Sequence, residues 1–143
     1  YEFVVTEFGT TKSETRMACS TREAAVRFAA TAVAPQCVIF VAHIVGHVDH
    51  GNFYAWCNGD VAHVRLDEHR EHYASDPLRA SAITSDVIFR GEDGEPLEVP
   101  STQVISRAQA TDALHCWLTS GSKLSSLLGP SIRLVQPNYA LKR

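Results

Sequence analysis

The stretch from Thr84 to Gly121 reads TSDVIFRGEDGEPLEVPSTQVISRAQATDALHCWLTSG, and its pattern decides the fold. Its first part contains a short apolar run at residues 87–89, a turn at 91–94 with a glycine at each end, and a proline-bounded arm at 96–100. Glycine permits positive φ angles in tight turns, and proline biases the residue before it toward extended backbone. This first part therefore predicts a β-hairpin.

The second part of the same stretch predicts one amphipathic helix. Ser106 and Gln109 have the spacing of a capping box, in which the two side chains satisfy backbone amides at the start of a helix. Apolar residues then recur with the helical period, and Gly121 is suited to end the helix. The apolar face of the predicted helix consists of Ala110, Ala113, Leu114, Trp117 and Leu118.

Near the start of the chain, a strand pair and a first helix are predicted. Residues 1–8 and 14–19 are suited to pair antiparallel across a turn. Ser20 and Glu23 have capping-box spacing, and Pro35 is expected to stop the helix that follows them. The helical spacing of the apolar residues predicts a face made of Ala25, Phe28, Ala29, Ala32 and Val33.

Strands are expected to dominate the middle of the chain. Residues 37–42, CVIFVA, form its most strand-like run. Residues 52–57 and 61–66 predict two more strands, joined by Asn58-Gly59 as a two-residue hairpin turn. Strands flanked by helices in this order are typical of an α+β fold. We therefore predict a single α+β domain, with an antiparallel sheet of about five to seven strands packed with two main helices.

Length and composition limit the class of protein. A chain of 143 residues with 45% apolar and 20% charged residues is ordinary for one globular domain. No apolar run approaches the ~20 residues needed to cross a bilayer, and no secretory signal is visible, so we expect a cytoplasmic protein. Residues 121–143, in which Ser, Gly and Pro interrupt every pattern, are expected to form an irregular tail.

The net charge of −3 is distributed unevenly. Residues 60–98 contain ten acids and four arginines, a net charge of −6, whereas residues 99–143 have a net charge of +4. A negative field in the middle of the chain disfavours nucleic-acid binding there and suits a basic partner. The alternative interpretation is a solvated face that only keeps the protein soluble.

The cysteines do not indicate a catalytic or metal site. Cys19, Cys37, Cys57 and Cys116 lack CxxC spacing, so we expect reduced, largely buried thiols, although the even count leaves a disulfide open. His115 and Cys116 would point about 100° apart on a helix and cannot form a nucleophile–base pair with each other. No GxSxG or paired acidic signature is present, and we predict that the protein is not an enzyme.

Residues 43–51, HIVGHVDHG, copy the start of the phosphate loop of translational GTPases. Those proteins continue with Lys and then Ser or Thr, which bind the phosphates and Mg²⁺, whereas Asn52 and Phe53 follow here. The next residues are strand-like, so no helix N-terminus would face a phosphate. We interpret residues 46–51 as a hairpin loop and predict that the protein binds no nucleotide or other cofactor.

The histidines provide an alternative, enzymatic interpretation. His43, His47 and His50 lie close together in sequence, and the alternative function is a small metal-dependent hydrolase that uses this cluster. His69 and His72 have the spacing to share a helical turn. No HExxH or other specific spacing is present, so we predict solvated loop histidines and no metal site.

Several short motifs occur in an order that resembles a known family. They are Gly59-Asp60, Tyr73-Ala74-Ser75-Asp76, Val99-Pro100, the small-residue-rich helix and Thr119-Ser120-Gly121. This order resembles the first-numbered immunity-protein family of bacterial polymorphic toxin systems, which includes the inhibitor of a DNA-cytosine-deaminase toxin. The resemblance covers residues 46–128. It implies a protein that binds and neutralises a cognate toxin, with a toxin that acts on nucleic acid.

The acidic middle of the chain is the expected toxin-binding surface. Loops at the ends of a sheet are exposed, acids there steer a basic partner, and large aromatic residues nearby supply desolvated anchors. The predicted partner-binding residues are the acids Asp60, Asp67, Glu68, Glu71 and Asp76, with Tyr54, Trp56 and Tyr73 as anchors.

Overall fold

The computed structural model describes residues 1–9, 11–68, 70–78, 85–120 and 132–135. These residues form an α+β fold with one large antiparallel sheet, a separate two-stranded hairpin and two α-helices, α1 (Arg22–Ala29) and α2 (Arg107–Thr119). The predicted single-domain α+β class is confirmed.

The large sheet contains eight of the ten described strands. In sequence order the strands are β1 (Glu2–Phe8), β2 (Lys12–Ala18), β3 (Gln36–Val45), β4 (Val48–Asn58), β5 (Val61–Asp67), β6 (Glu71–Ser75), β7 (Val87–Arg90), β8 (Pro96–Val99), β9 (Ile105–Ser106) and β10 (Arg133–Val135). Their order in the sheet is β10-β6-β5-β4-β3-β1-β2, and β9 adds to β5. Strands β7 and β8 form the separate hairpin.

Alternation along the strands gives the large sheet two different faces. On β4, Phe53, Ala55 and Cys57 are buried and belong to the core cluster that includes the apolar residues of α2. Tyr54 and Trp56 lie between them in sequence and therefore point to the opposite side, which we call the open face. The helices cover only the first of these faces.

Helix α2 covers the core face as its sequence predicts. All five residues of its predicted apolar face are buried, and the ring centroid of Trp117 lies 5.7 Å from that of Phe53. The predicted capping box is present: the Ser106 hydroxyl accepts a hydrogen bond from the backbone N–H of Gln109, and the Gln109 side chain accepts one from the N–H of Ser106. The helix ends at Thr119, and Gly121 lies outside the described residues.

Helix α1 is shorter than predicted. Its N-cap is Thr21 rather than Ser20, because the Thr21 hydroxyl accepts the hydrogen bond from the backbone N–H of Ala24. The helix ends at Ala29, and Val33, which was expected on its apolar face, is 75% exposed. Beyond Ala29, the backbone N–H groups of Thr31 and Ala32 donate to the carbonyls three residues earlier, those of Phe28 and Ala29. These hydrogen bonds tighten the last turn and end the helix.

Two hairpin turns are tighter or shifted relative to the sequence prediction. The turn between β4 and β5 is Gly59-Asp60, one residue later than Asn58-Gly59, because Asn58 pairs with Val61 and extends the ladder. In the predicted loop at 46–51, only Gly46 and His47 lie between β3 and β4. The remaining residues of that predicted loop belong to β4.

Two further strands lie where irregular structure was expected. The connection from Asp67 to Asp76 contains β6, so His72 lies on a strand and not on a helical turn, while His69 lies outside the described residues. β10 comes from the predicted irregular tail, and the rest of residues 121–143 lies outside the described residues. The register places Leu134 opposite Ala74, and Leu134 is partly buried against the core cluster that contains Ala74, so burial of apolar side chains favours this pairing.

The β7–β8 hairpin packs on one end of the open face. Phe89, Val99 and Val104 form a second buried cluster, and Trp56 packs against it. The Asn58 side chain donates a hydrogen bond of 3.1 Å to a backbone carbonyl of β7. Trp56 is therefore half-buried beneath the hairpin, at the border of the part of the open face that stays accessible.

Candidate functional site

A row of side chains crosses four neighbouring strands on the open face. The register pairs Phe40 of β3 with Tyr54 of β4. Tyr54 in turn pairs with Arg65 of β5, which pairs with Tyr73 of β6. All four side chains are half-buried. The Phe40 and Tyr54 ring centroids are 4.8 Å apart, and the Arg65 guanidinium lies 5.5 Å from the centre of the Tyr54 ring, a cation–π contact.

Arg65 is fixed in this row by two acids. Its Nε and Nη2 atoms donate to the two carboxylate oxygens of Asp67 at 2.9 and 3.0 Å, and Nη2 also lies 2.9 Å from a carboxylate oxygen of Glu71. The Tyr73 hydroxyl donates to the other oxygen of Glu71 at 3.0 Å. A bidentate arginine–carboxylate pair is geometrically specific, so these contacts hold the row rigid.

We call this arrangement the aromatic–acidic patch, and its members are Phe40, Tyr54, Arg65, Asp67, Glu71 and Tyr73. The Tyr54 hydroxyl stays protonated near neutral pH, since burial and the nearby Asp67 raise its pKa. The patch thus offers flat ring surfaces and the Tyr54 hydroxyl, whereas the Tyr73 hydroxyl already donates to Glu71. Its charged groups neutralise one another in part: Arg65 lies between Tyr54 and Tyr73, and Asp67 and Glu71 lie opposite each other two positions further along β5 and β6.

An acidic depression borders the patch at the end of β5. It is lined by Asp49, Gly51, Asn52, Asp67, Glu68, Arg70 and Glu71. Gly51 has a φ of +126°, and a Cβ there would lie 2.9 Å from the carbonyl oxygen of Asp67, so only glycine permits this close approach. The side-chain oxygen of Asn52 is buried and accepts no hydrogen bond from the described residues.

Sequence reasoning missed an apolar tip beside the depression. Ile44, Val45 and Val48 flank the two-residue turn between β3 and β4, and they are 39%, 57% and 58% exposed. The available signal was a set of β-branched residues on both sides of a glycine turn, which is unusual for a solvated loop.

The structure brings together most of the predicted partner-binding residues. Tyr54, Tyr73, Asp67 and Glu71 are members of the patch, Trp56 lies at its border, and Glu68 is exposed in the acidic depression. Arg65, which links them, was not predicted, because its role depends on pairing between strands.

Two predicted acids lie elsewhere. Asp60 is exposed in the β4–β5 turn, at the opposite end of β5 from Glu68. One oxygen of Asp76 accepts a 2.9 Å hydrogen bond from the Gln109 side chain, and the other accepts one from the backbone N–H of Leu78. Asp76 therefore connects the end of β6 to helix α2, which is a structural role.

No family model and no curated protein matches this chain. The resemblance to an immunity-protein family accordingly stays a hypothesis. Among the described helices, none combines the length and the apolar character that crossing a bilayer requires. The arrangement of the site itself is therefore the basis for a functional proposal.

The three histidines of the alternative hydrolase do not converge in the structure. The His43 ring stacks on Tyr1 with centroids 4.4 Å apart and lies 5.3 Å from the His50 ring. Burial, followed by the neighbouring His50, lowers the pKa of His43. His47 is exposed in the turn. Within the described ranges, no group of three or more His, Cys, Asp or Glu side chains is placed to hold a metal ion.

The thiols lie mostly in the core, as predicted. Cys19, Cys37 and Cys57 are buried, and Cys116 is partly buried. Cys37 and Cys57 face each other across β3 and β4, and Arg107 lies 3.5 Å from the Cys37 sulfur. A hydrogen bond from Cys57 lowers the pKa of Cys37 and raises that of Cys57. Because both thiols are at most 5% exposed, a substrate would not reach them.

A small cavity lies between the two helices and the sheet. Its volume is about 130 Å³, and alanines form much of its lining. Ligand pockets are usually about 300–1,000 Å³, so this space is too small for a cofactor. We interpret it as a packing gap left by small side chains.

We expect no saturable binding of GTP or ATP in calorimetry. The chain passes from the Gly46 turn directly into β4, so no helix N-terminus faces the place of a phosphate. As a matched control, Asn52→Lys restores the missing lysine of the motif and should still not bind, because the strand remains. Micromolar binding by either protein would contradict the interpretation of this segment as a hairpin.

Proposed function

We propose that this protein is an immunity protein that binds a cognate bacterial toxin and blocks the action of that toxin on nucleic acid in the cytoplasm. The observation that carries the proposal is the aromatic–acidic patch. Tyrosine and arginine are enriched among residues that dominate binding energy, and a fixed side chain loses little entropy when it binds. The family resemblance of residues 46–128 supports the same class of function.

The shape of the patch favours a protein partner over a small molecule. Small-molecule sites are concave and enclosed, whereas this patch extends across four strands of an open sheet face. The exposed apolar tip of Ile44, Val45 and Val48 extends the contact beyond the acidic depression. Aromatic residues at the centre with charged residues at the rim are typical of protein interfaces.

The charges around the patch suit a toxin with a basic surface. Asp67 and Glu71 already pair with Arg65, so the exposed Asp49 and Glu68 supply most of the steering field. Proteins that act on nucleic acid use Lys and Arg to contact phosphates. An acidic inhibitor that covers such a groove competes directly with the substrate.

The proposal is tested with a cognate toxin, which is to be sought among the products of the genes that neighbour the gene for this chain. Tyr54→Ala should weaken the complex by about 2 kcal/mol, or roughly 30-fold in Kd, mainly through faster dissociation. Glu68→Lys should slow association several-fold at low salt, and the difference should shrink as ionic strength rises. Surface plasmon resonance at two salt concentrations measures both effects.

Asp60→Lys is the matched control for Glu68→Lys. It makes the same charge change at an exposed position about 25 Å away along β5, and it should leave association unchanged. Circular dichroism establishes that each variant is folded. Wild-type kinetics for both Tyr54→Ala and Glu68→Lys would refute the patch as the toxin-binding surface.

The stoichiometry of neutralisation separates an immunity protein from an enzyme. One equivalent of the protein should abolish toxin activity, and excess toxin should remain active, because an inhibitor does not turn over. Inactivation of excess toxin by substoichiometric protein would oppose the proposal. Stoichiometric zinc that disappears together with the fold in His47→Ala would favour the metal-dependent hydrolase instead.

A further inference from the structure

Strand β2 forms one edge of the large sheet, and among the described residues its protection against pairing consists of the charged side chains Lys12, Glu14 and Arg16. It pairs with β1 over seven consecutive residues in an unbroken register. All seven residues are exposed, and no described strand pairs with its outer side. Its sequence, KSETRMA, contains no proline, and the strand has no bulge. Proteins normally shorten, bend or cover such an edge, because its backbone groups can pair with another strand.

The hydrogen bonds to β1 reveal which backbone groups of β2 point outward. Tyr1 and Cys19 exchange both of their backbone hydrogen bonds, at 2.7 Å each. Hydrogen-bonded and non-hydrogen-bonded pairs alternate along an antiparallel ladder. Counting back in the register, Ser13, Thr15 and Met17 bond to β1. The outward-pointing N–H and C=O groups therefore belong to Lys12, Glu14, Arg16 and Ala18.

The side chains of these four residues are complementary in charge to those of a second, antiparallel copy of β2. If a second copy of β2 pairs antiparallel with the first and Thr15 lies on the two-fold axis, Glu14 of each copy lies opposite Arg16 of the other. Lys12 then lies opposite Ala18. The registers on either side are disfavoured, since centring on Glu14 or on Arg16 places like charges opposite each other. Charge thus selects one register.

We propose that two copies of this chain associate through β2 in the register centred on Thr15. The four outward-facing residues of each copy then make four hydrogen-bonded pairs, and the two sheets become continuous. The two-fold axis is perpendicular to the sheet, so the helices of both copies lie on one side and both open faces on the other. The aromatic–acidic patch lies on β3 to β6, away from this edge, so the proposal does not depend on the proposed function.

A charge swap tests the proposed register. Glu14→Arg and Arg16→Glu each place like charges opposite each other twice per dimer, and each should raise the dimer dissociation constant about tenfold or more. The double variant Glu14→Arg/Arg16→Glu restores opposite charges and should recover dimerisation. Sedimentation velocity over a range of concentrations measures all four proteins. The 2.8 Å pair between Glu14 and Arg16 within one strand is exposed, so its loss should not affect folding.

Cysteine crosslinking provides an independent readout of the same register. Thr15 of one copy would lie opposite Thr15 of the other at a non-hydrogen-bonded position. The two Cα atoms would be about 4.5 Å apart, a distance that a disulfide can bridge. Thr15→Cys should therefore form a covalent dimer under mild oxidation. Ser13→Cys is the matched control on the same face of β2. Its two copies would lie about 13 Å apart, beyond the reach of a disulfide.

The proposal predicts a concentration-dependent dimer that both single reversals weaken, that the double swap restores and that Thr15→Cys crosslinks. A monomer at every concentration would overturn it. A dimer that is insensitive to the reversals, or one that crosslinks equally through Ser13→Cys, would place the interface elsewhere. Pairing of β2 with a strand of the toxin, seen as a Thr15→Cys thiol that forms no dimer in the protein alone and loses its reactivity only when toxin is added, would also overturn it.

Discussion

Replacement of Trp117 by alanine is expected to lower the free energy of unfolding by about 3–5 kcal/mol. The Trp117 side chain is 1% exposed and lies in the core between α2 and the sheet. Its ring contacts Phe53 of β4 and Tyr1, with centroid distances of 5.7 and 5.8 Å. Removal of the ring leaves a cavity that Phe53 and Tyr1, which are held by separate parts of the chain, cannot fill together. Urea denaturation monitored by circular dichroism measures the loss.

Ser106→Ala is the comparison at the other end of the same helix. It removes the hydroxyl that accepts the Gln109 hydrogen bond, and loss of such a cap costs about 1 kcal/mol. The two variants separate the contribution of packing from that of capping. Equal and negligible losses at Trp117 and Ser106 would contradict the placement of α2 against the sheet.

Lowering the pH from 7 to 4 is expected to destabilise the fold by about 3 kcal/mol through His63 alone. His63 is 5% exposed on the open face, with the rings of Trp56 and Tyr73 each 5.2 Å away. Its Nδ1 lies 2.9 Å from the backbone carbonyl oxygen of Gln103, which can only accept, so the neutral ring carries its proton on Nδ1. Burial lowers the pKa of His63 to about 4.

The sign of the effect follows from proton binding. In the unfolded chain His63 titrates near 6.5, so between about 6.5 and 4 the unfolded state binds a proton that the folded state does not. Stability is therefore fully present above pH 6.5, falls as the pH drops through this window, and levels off below about 4. Burial also lowers the pKa of His43, which adds to the loss in the same direction.

His63→Gln isolates this contribution from the titration of carboxylates. Glutamine can still donate a hydrogen bond to the Gln103 carbonyl but carries no titratable group in this range. The wild-type minus variant difference in unfolding free energy should change by about 3 kcal/mol between pH 7 and 4. A constant difference across this range would show that His63 is not buried in its neutral form.

Short-range interactions determined the parts of the fold that the sequence predicted well. Each residue of the α2 face lies at most three positions from the next, and the Ser106–Gln109 cap spans three. The β7–β8 hairpin likewise needs only the turn at 91–94. In each case the partners are near in sequence, so composition and spacing are enough to identify them.

Element boundaries were less accurate because more than one local solution was available. Thr21 and Ser20 are both suitable N-cap residues. The β1–β2 ladder ends at the Tyr1–Cys19 pair, and Thr21 then has the extended conformation that an N-cap requires. Similarly, Gly59 serves as a turn residue in either register. The pairing of Asn58 with Val61 decides between them.

The candidate site depended on the tertiary structure. Tyr54, Arg65 and Tyr73 are each ordinary residues of a strand, and they become one surface only because their strands pair in a particular register. The same pairing isolates Asp60 at the far end of β5, although it is near Asp67 in sequence. The sequence by itself therefore determined the helices, the hairpins and the α+β class through contacts between near neighbours. Only the folded sheet decided which side chains meet, because strand register depends on burying one whole face of the sheet at once.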